Sequence, residues 1–153
     1  MLYSEKLKYL REEKELKQHE LAQILNFHRN GYGQFEREET ILPIKHLNTL
    51  SNYFNVSIDY LFSFTNIRQY KHAKKEFDPQ LSGQRLRSWR KENKITQVNL
   101  AHFLNTTQSN IVGYEQGKFV IATPYLYMIC KKYHISADYL LGKIDEKNIY
   151  LDF

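Results

Sequence analysis

Shifted by 79 positions, the chain aligns with itself without a gap from Ser4 to Ser63. Identical pairs include Leu7/Leu86, Arg11/Arg90, Gln18/Gln97, Leu21/Leu100, Ala22/Ala101, Leu25/Leu104, Asn26/Asn105, Glu36/Glu115, Leu47/Leu126, Ser57/Ser136, Asp59/Asp138, Tyr60/Tyr139 and Leu61/Leu140. Conservative pairs lie between them, among them Leu16/Ile95, Phe35/Tyr114, Leu50/Ile129 and Val56/Ile135. This register constrains the fold more than any other feature. Whatever the first stretch folds into, the second must also form, each with a core of its own. The repeat is domain-sized and too long for a solenoid unit. The 153 residues therefore divide into copy one (1–66), a linker (67–81), copy two (82–143) and a tail (144–153).

Each copy reads as five short helices, so the fold class is all-α: two tandem five-helix domains. Helix 1 is expected to follow Ser4 or Ser82 and run to Glu13 or Glu92. Leu86 and Trp89, three apart, give it one apolar face. Helix 2 starts at Gln18 or Gln97. Thr96 suits its N-cap in copy two, whereas Lys17 cannot cap in copy one. Leu21, Ala22 and Leu25, with Leu100, Ala101 and Leu104, form its buried stripe. Asn26 and Asn105 follow where the chain must turn, and asparagine tolerates the left-handed conformation. Helix 3 is expected after His28 or Thr107. Thr123-Pro124 reads as a cap and first residue opening helix 4, and Ser57 and Ser136 cap helix 5. The linker is polar and basic but keeps Phe64, Ile67, Tyr70 and Phe77 nearby, so it is expected to be partly ordered as an extension of helix 5. The acidic tail carries Ile149, Tyr150, Leu151 and Phe153, which suit docking on the domain or on a second chain.

Charge is divided unevenly. Residues 1–66 hold eight Lys/Arg against nine Asp/Glu, and residues 82–143 hold nine against three. The net charge of +5 is thus concentrated in copy two, the footprint of a polyanion binder, although a solvated lysine-rich face would look the same. No apolar run approaches the roughly 20 residues of a membrane span. The N-terminus lacks an apolar signal core, and the single Cys130 cannot form an internal disulfide. These features point to a cytoplasmic protein. The six histidines show no metal-ligand spacing, so no metal is expected. No acid–base constellation or phosphate-binding glycine loop is present, so neither an enzyme nor a cofactor is implied.

Within copy two, Thr96 to Lys118 holds a short amphipathic run, a break at Asn105-Thr106-Thr107, and a second run with a polar leading end. Two short helices so joined make a helix-turn-helix. Thr96-Gln97, Leu100-Ala101, Thr107-Gln108-Ser109, Ile111, Tyr114-Glu115 and Gly117-Lys118, with the ending Ile135 to Gly142, resemble the lambda-repressor/Cro-like (XRE-type) helix-turn-helix regulators. Copy one matches at Gln18, Leu21-Ala22, Glu36 and Val56 to Leu61. The resemblance covers roughly 120 residues. It implies sequence-specific binding of double-stranded DNA, transcription regulation of repressor type, and helix 3 in the major groove.

Side-chain chemistry supplies candidate readers. In copy two, Ile111 and Tyr114 face inward, leaving Gln108, Ser109, Asn110, Val112 and Gly113 outward behind the Thr107 cap. Gln and Asn can pair with adenine at N6 and N7, Ser with either kind of base, and Val with a thymine methyl. Gly113 offers no side chain. Gln97 at the start of helix 2 and Lys118 past helix 3 suit phosphate contacts, with Lys94 a further candidate. Copy one offers Gln18, Arg29, Asn30 and Gln34, but Gly31 and Gly33 each weaken its helix 3 by about 1 kcal/mol. Glu38 replaces Gly117, and Glu39 stands where copy two has Lys118. Copy one is thus either a second reader or a similar fold that binds protein. Arg11 to Glu36 and Arg90 to Glu115 are each 25 apart, and the resemblance implies a structural ion pair orienting helix 3.

Two arrangements on DNA are open, a homodimer or an intramolecular pseudo-dimer. Half-sites lie about 34 Å apart. A flexible linker of about 16 residues spans roughly 20–24 Å on average and about 55 Å at full reach. A different class of function is also compatible: a protein-interaction module that sequesters another regulator or a toxin.

Overall fold

The computed structural model describes residues 3–28, 30–147 and 151. Its helices are α1 (Tyr3–Glu13), α2 (Gln18–Ile24), α3 (Gly31–Glu36), α4 (Ile44–Phe54), α5 (Ile58–Leu61), α6 (Pro79–Glu92), α7 (Gln97–Leu104), α8 (Gln108–Glu115), α9 (Thr123–Tyr133) and α10 (Ala137–Leu140). No strand occurs among the described residues. The chain divides into two compact units between Tyr70 and Lys71, each with five of these helices.

Side-chain caps begin most of the short helices. The Thr96 hydroxyl accepts from the Asn99 amide at 3.0 Å and that of Thr107 from the Asn110 amide at 3.2 Å. Ser57 and Ser136 do the same for α5 and α10, accepting from Tyr60 and Tyr139 at 3.0 and 3.1 Å. Each such cap satisfies an orphan N–H and contributes about 1 kcal/mol. Lys17 indeed offers no side-chain oxygen. The Glu20 carboxylate compensates by accepting the Lys17 N–H at 2.6 Å, one half of a capping box. Thr123 is not a cap: it is the buried first residue of α9, with Ala122 in the cap position and Pro124 in the first turn.

The turns repeat as faithfully as the helices. Left-handed backbone occurs at Glu15 and Lys94, Asn26 and Asn105, Glu38 and Gly117, Asn55 and His134, and Ser63 and Gly142. All five pairs are related by the 79-residue shift. Two of them differ in strain. Glu38 (φ 62°) and Ser63 (φ 62°) hold a conformation that glycine supplies freely in the other copy.

Each unit buries its own core. Leu7, Leu21, Tyr32, Leu47, Leu50, Val56 and Leu61 fill the first, and Leu86, Leu100, Ile111, Leu126, Ile129, Leu140 and Leu141 the second. At about 1.5–3 kcal/mol per fully buried large side chain, these positions dominate stability. Tyr32 and Ile111 occupy equivalent sites, so the first unit accommodates a ring where the second has a branched chain.

The stretch between the copies is not an extension of α5, which ends at Leu61. Instead it is tied to both units, each end to its own. The Ser57 amide donates to the Arg68 carbonyl, and the Tyr70 hydroxyl donates to the buried Asp59 carboxylate at 2.9 Å. Further on, the Lys74 and Asp78 amides donate to the Lys143 and Leu141 carbonyls at 2.8 and 2.9 Å. Asp78 then caps α6 by accepting from the Gln80 and Leu81 amides, with Pro79 in the first turn. Helix α6 therefore starts upstream of Ser82, its expected beginning. Of the tail, Ile149, Tyr150 and Phe153 lie outside the described residues.

Candidate nucleic-acid interface

In the second unit α7 and α8 form the two helices of a helix-turn-helix, joined through the left-handed Asn105. Leu100, Ala101, Leu104, Ile111 and Tyr114 are buried between them and the rest of the unit. Arg90 fixes α8 from the far side. Its Nε and Nη2 donate to the two Glu115 carboxylate oxygens at 2.9 and 2.8 Å, and Nη1 donates to the Ile95 carbonyl at 2.9 Å. A two-point bond between a planar guanidinium and a carboxylate fixes direction as well as distance. Helix α6 also approaches the α8 backbone closely: a Cβ added at Gly83 would fall 2.4 Å from the Tyr114 carbonyl oxygen. Only glycine fits there.

The outer edge of α8 is thereby presented with little freedom. Gln108 and Ser109 are exposed, Val112 is half-buried, and Lys118 is exposed past the left-handed Gly117. The Gln108 side-chain amide donates to Gln97 Oε1 at 3.4 Å, so the leading residues of α7 and α8 adjoin. Asn110 is turned back: its side-chain amide donates to Thr106 Oγ1 at 2.8 Å. Gly113 lies on the outward face that helical phase gives it, yet it is not open to solvent. It is buried beneath Phe119, whose Cζ lies 2.3 Å from where a Cβ would stand. Phe119 was not among the residues singled out by sequence. Its position after the helix hides it from periodicity, and the only signal is a bulky ring six residues beyond an unoccupied reading position.

The equivalent edge of the first unit is different. Helix α3 starts at Gly31 instead of directly after His28, and Asn30 occupies its N-cap without a side-chain bond. Arg29 lies outside the described residues. Tyr32, Gly33 and Phe35 are buried and Gln34 is exposed. Arg11 grips Glu36 through Nε and Nη2 at 2.7 and 3.0 Å and donates to the Leu16 carbonyl at 2.7 Å. Gln18 joins this pair, its amide donating to Glu36 at 2.7 Å, whereas its counterpart Gln97 adjoins Gln108 instead. Burial alone pushes the Glu36 carboxyl up, but hydrogen bonds from Arg11 and Gln18 outweigh it and hold the group below the usual carboxylate range. Burial likewise pushes the Tyr32 phenol well above its ordinary value, with the Glu36 charge adding to the rise. Beyond α3 the exposed Arg37 is paired with Glu39 at 2.9 Å, and Glu38 accepts from the Ser4 hydroxyl at 2.9 Å.

Residues 7–61 match a family model described as helix-turn-helix, and residues 83–146 match a second, described as a helix-turn-helix domain. The chain belongs to the XRE-type helix-turn-helix family, with two domains in tandem. No curated protein matches the chain in sequence. Tandem helix-turn-helix domains point to a DNA-binding transcription regulator. Among the described residues, no helix is long and apolar enough to cross a membrane, and no group of three or more His, Cys, Asp or Glu could hold a metal ion.

Proposed function

We propose that the second helix-turn-helix domain binds double-stranded DNA sequence-specifically, with α8 in the major groove, and that the protein acts in the cytoplasm as a repressor-type regulator without enzymatic chemistry. The observation that carries this reading is the edge of α8. It presents exposed Gln108 and Ser109 at its leading end and Lys118 beyond its last turn, on a helix anchored by the Arg90–Glu115 pair. Gln108 pairs with an adenine, and Ser109 accepts or donates to a neighbouring base. Gln97, beside Gln108, and the free amides at the start of α7 take a phosphate, which sets the register. Lys118 adds a second phosphate contact. Asn110, its amide already given to Thr106, contributes its carbonyl oxygen as an acceptor. Occupancy of a site then excludes other proteins from the same groove. Pairing of two such domains, within one chain or between two, supplies the second half-site.

A second reading applies to the first domain alone. Its Gln18 is committed to Glu36, and Glu38 and Glu39 stand where a phosphate would pass. These features favour a protein partner for that domain, in keeping with a module that sequesters a regulator or toxin.

Selection of bound genomic fragments by the full chain at low salt tests the main reading. Enrichment of a discrete motif is expected, with affinity falling as salt rises at a log–log slope of about −0.9 per phosphate neutralised. Lys118→Ala should weaken all sequences alike and flatten that slope by about one contact. Absence of any enriched fragment at low salt would leave the protein-partner reading in its place.

A further inference from the structure

The reading edge of α8 has a gap at Gly113, and a residue from outside the helix fills it. Ser109 and Gly113 are one turn apart and share a face of α8. The space a side chain at 113 would occupy is taken by the Phe119 ring, with Cζ, Cε2 and Cε1 at 2.3, 2.7 and 3.1 Å from an ideal Cβ. The ring is held in place edge-on to Tyr114, centroids 5.4 Å apart at 89°. Yet the residue remains 48% exposed. A ring that served only as core would be covered. This one packs one flank on the helix and leaves the rest in water, next to the polar edge that ends at Ser109.

We propose that Phe119 is a specificity-determining residue of the second domain, reading a thymine 5-methyl group in place of the missing side chain at position 113. The inference rests on the DNA-binding reading of α8. Apolar contact is the means by which a phenylalanine distinguishes bases in the major groove, where thymine alone presents a methyl group. The glycine is what admits the ring. A Cβ at 113 would displace it, so glycine there and phenylalanine at 119 act as one unit.

The test uses the full chain and the site it selects. Each thymine in that site is replaced in turn by deoxyuridine, which lacks only the methyl group. Wild-type protein should lose about fourfold in affinity at one thymine, the worth of one buried methyl. Phe119→Ala should bind the thymine site less well and respond to deoxyuridine there with no further loss. Phe119→Leu, which restores an apolar side chain, should recover part of the discrimination. A circular-dichroism melt of each variant separates misfolding from lost recognition. If Phe119→Ala remains folded and loses the same factor with thymine and deoxyuridine at every position, or loses nothing, the assignment is wrong while the DNA-binding reading stands. If the wild-type chain enriches no fragment at all, both fail together.

Discussion

Helix α8 has eight residues, a threonine cap and Gly117 after its last turn; α3, its counterpart, has six residues, no side-chain cap and Glu38 in the glycine's place. Beneath these edges the two domains are alike. Both keep the two-point Arg–Glu bond, the bond from that arginine to the carbonyl five residues on, and the same left-handed turns. Scaffold and edge therefore vary independently between the two copies. The pair that aims helix 3 is present in both copies, even where Glu38 and Glu39 follow that helix in place of Gly117 and Lys118. An aimed surface is useful to any partner, and what distinguishes the copies is the chemistry they aim.

The largest expected effect tests the shared part. Arg90→Ala leaves the buried Glu115 carboxylate unpaired and should destabilise the second domain by about 3–5 kcal/mol in urea or thermal unfolding. Arg11→Ala should cost about 1 kcal/mol less, because Gln18 still donates to Glu36. Equal losses would mean that the Gln18 bond holds nothing. Next comes the difference between the edges. Gln108→Ala should relax base preference at one or two positions by about 1–3 kcal/mol, whereas Gln34→Ala should leave the selected motif unchanged. A change of motif from Gln34→Ala would make the first domain a reader and erase the contrast.

Acid should weaken the first domain. The lowered Glu36 pKa means that its contribution is fully present above the ordinary glutamate value of about 4.3 and is lost as pH falls through the folded value. Glu36→Gln should flatten this part of the unfolding midpoint's pH dependence, and an unchanged slope below about pH 4.3 would remove Glu36 from the account. The smallest effect is a gain. Ser63→Gly frees a left-handed serine whose buried hydroxyl has no hydrogen-bond partner, and it copies Gly142. It should stabilise the first domain by about 1 kcal/mol in chemical unfolding.

The repeat register made the helices and buried stripes legible, because a core position must be apolar in both copies to fold twice. The exposure of Gln108 and Ser109, the readers proposed above, was legible for the complementary reason, both being polar residues on a helix whose other face is committed. What could not be read depended on where chains cross. The Phe119 ring over Gly113 follows from the path of the loop after α8, and the Gln18–Glu36 bond from how α2 meets α3. Neither leaves a period in the sequence. The Glu20 cap was readable in principle, since glutamate three residues after a cap position is a known signature, but Lys17 in that position concealed it.

The tied connector has a practical consequence for protease work. Tyr70 is bonded back to Asp59 and Lys74 forward to Lys143, which leaves Lys71, His72 and Ala73 between the anchored positions. Lys71 is exposed, so brief trypsin treatment should nick the chain there before it attacks either core. A cut after residue 66 would strip the first domain of the Arg68 and Tyr70 bonds, and one after residue 81 would remove the Asp78 cap from α6. Halves parted at Lys71 keep both sets, and they are the pieces in which each edge can be assayed alone.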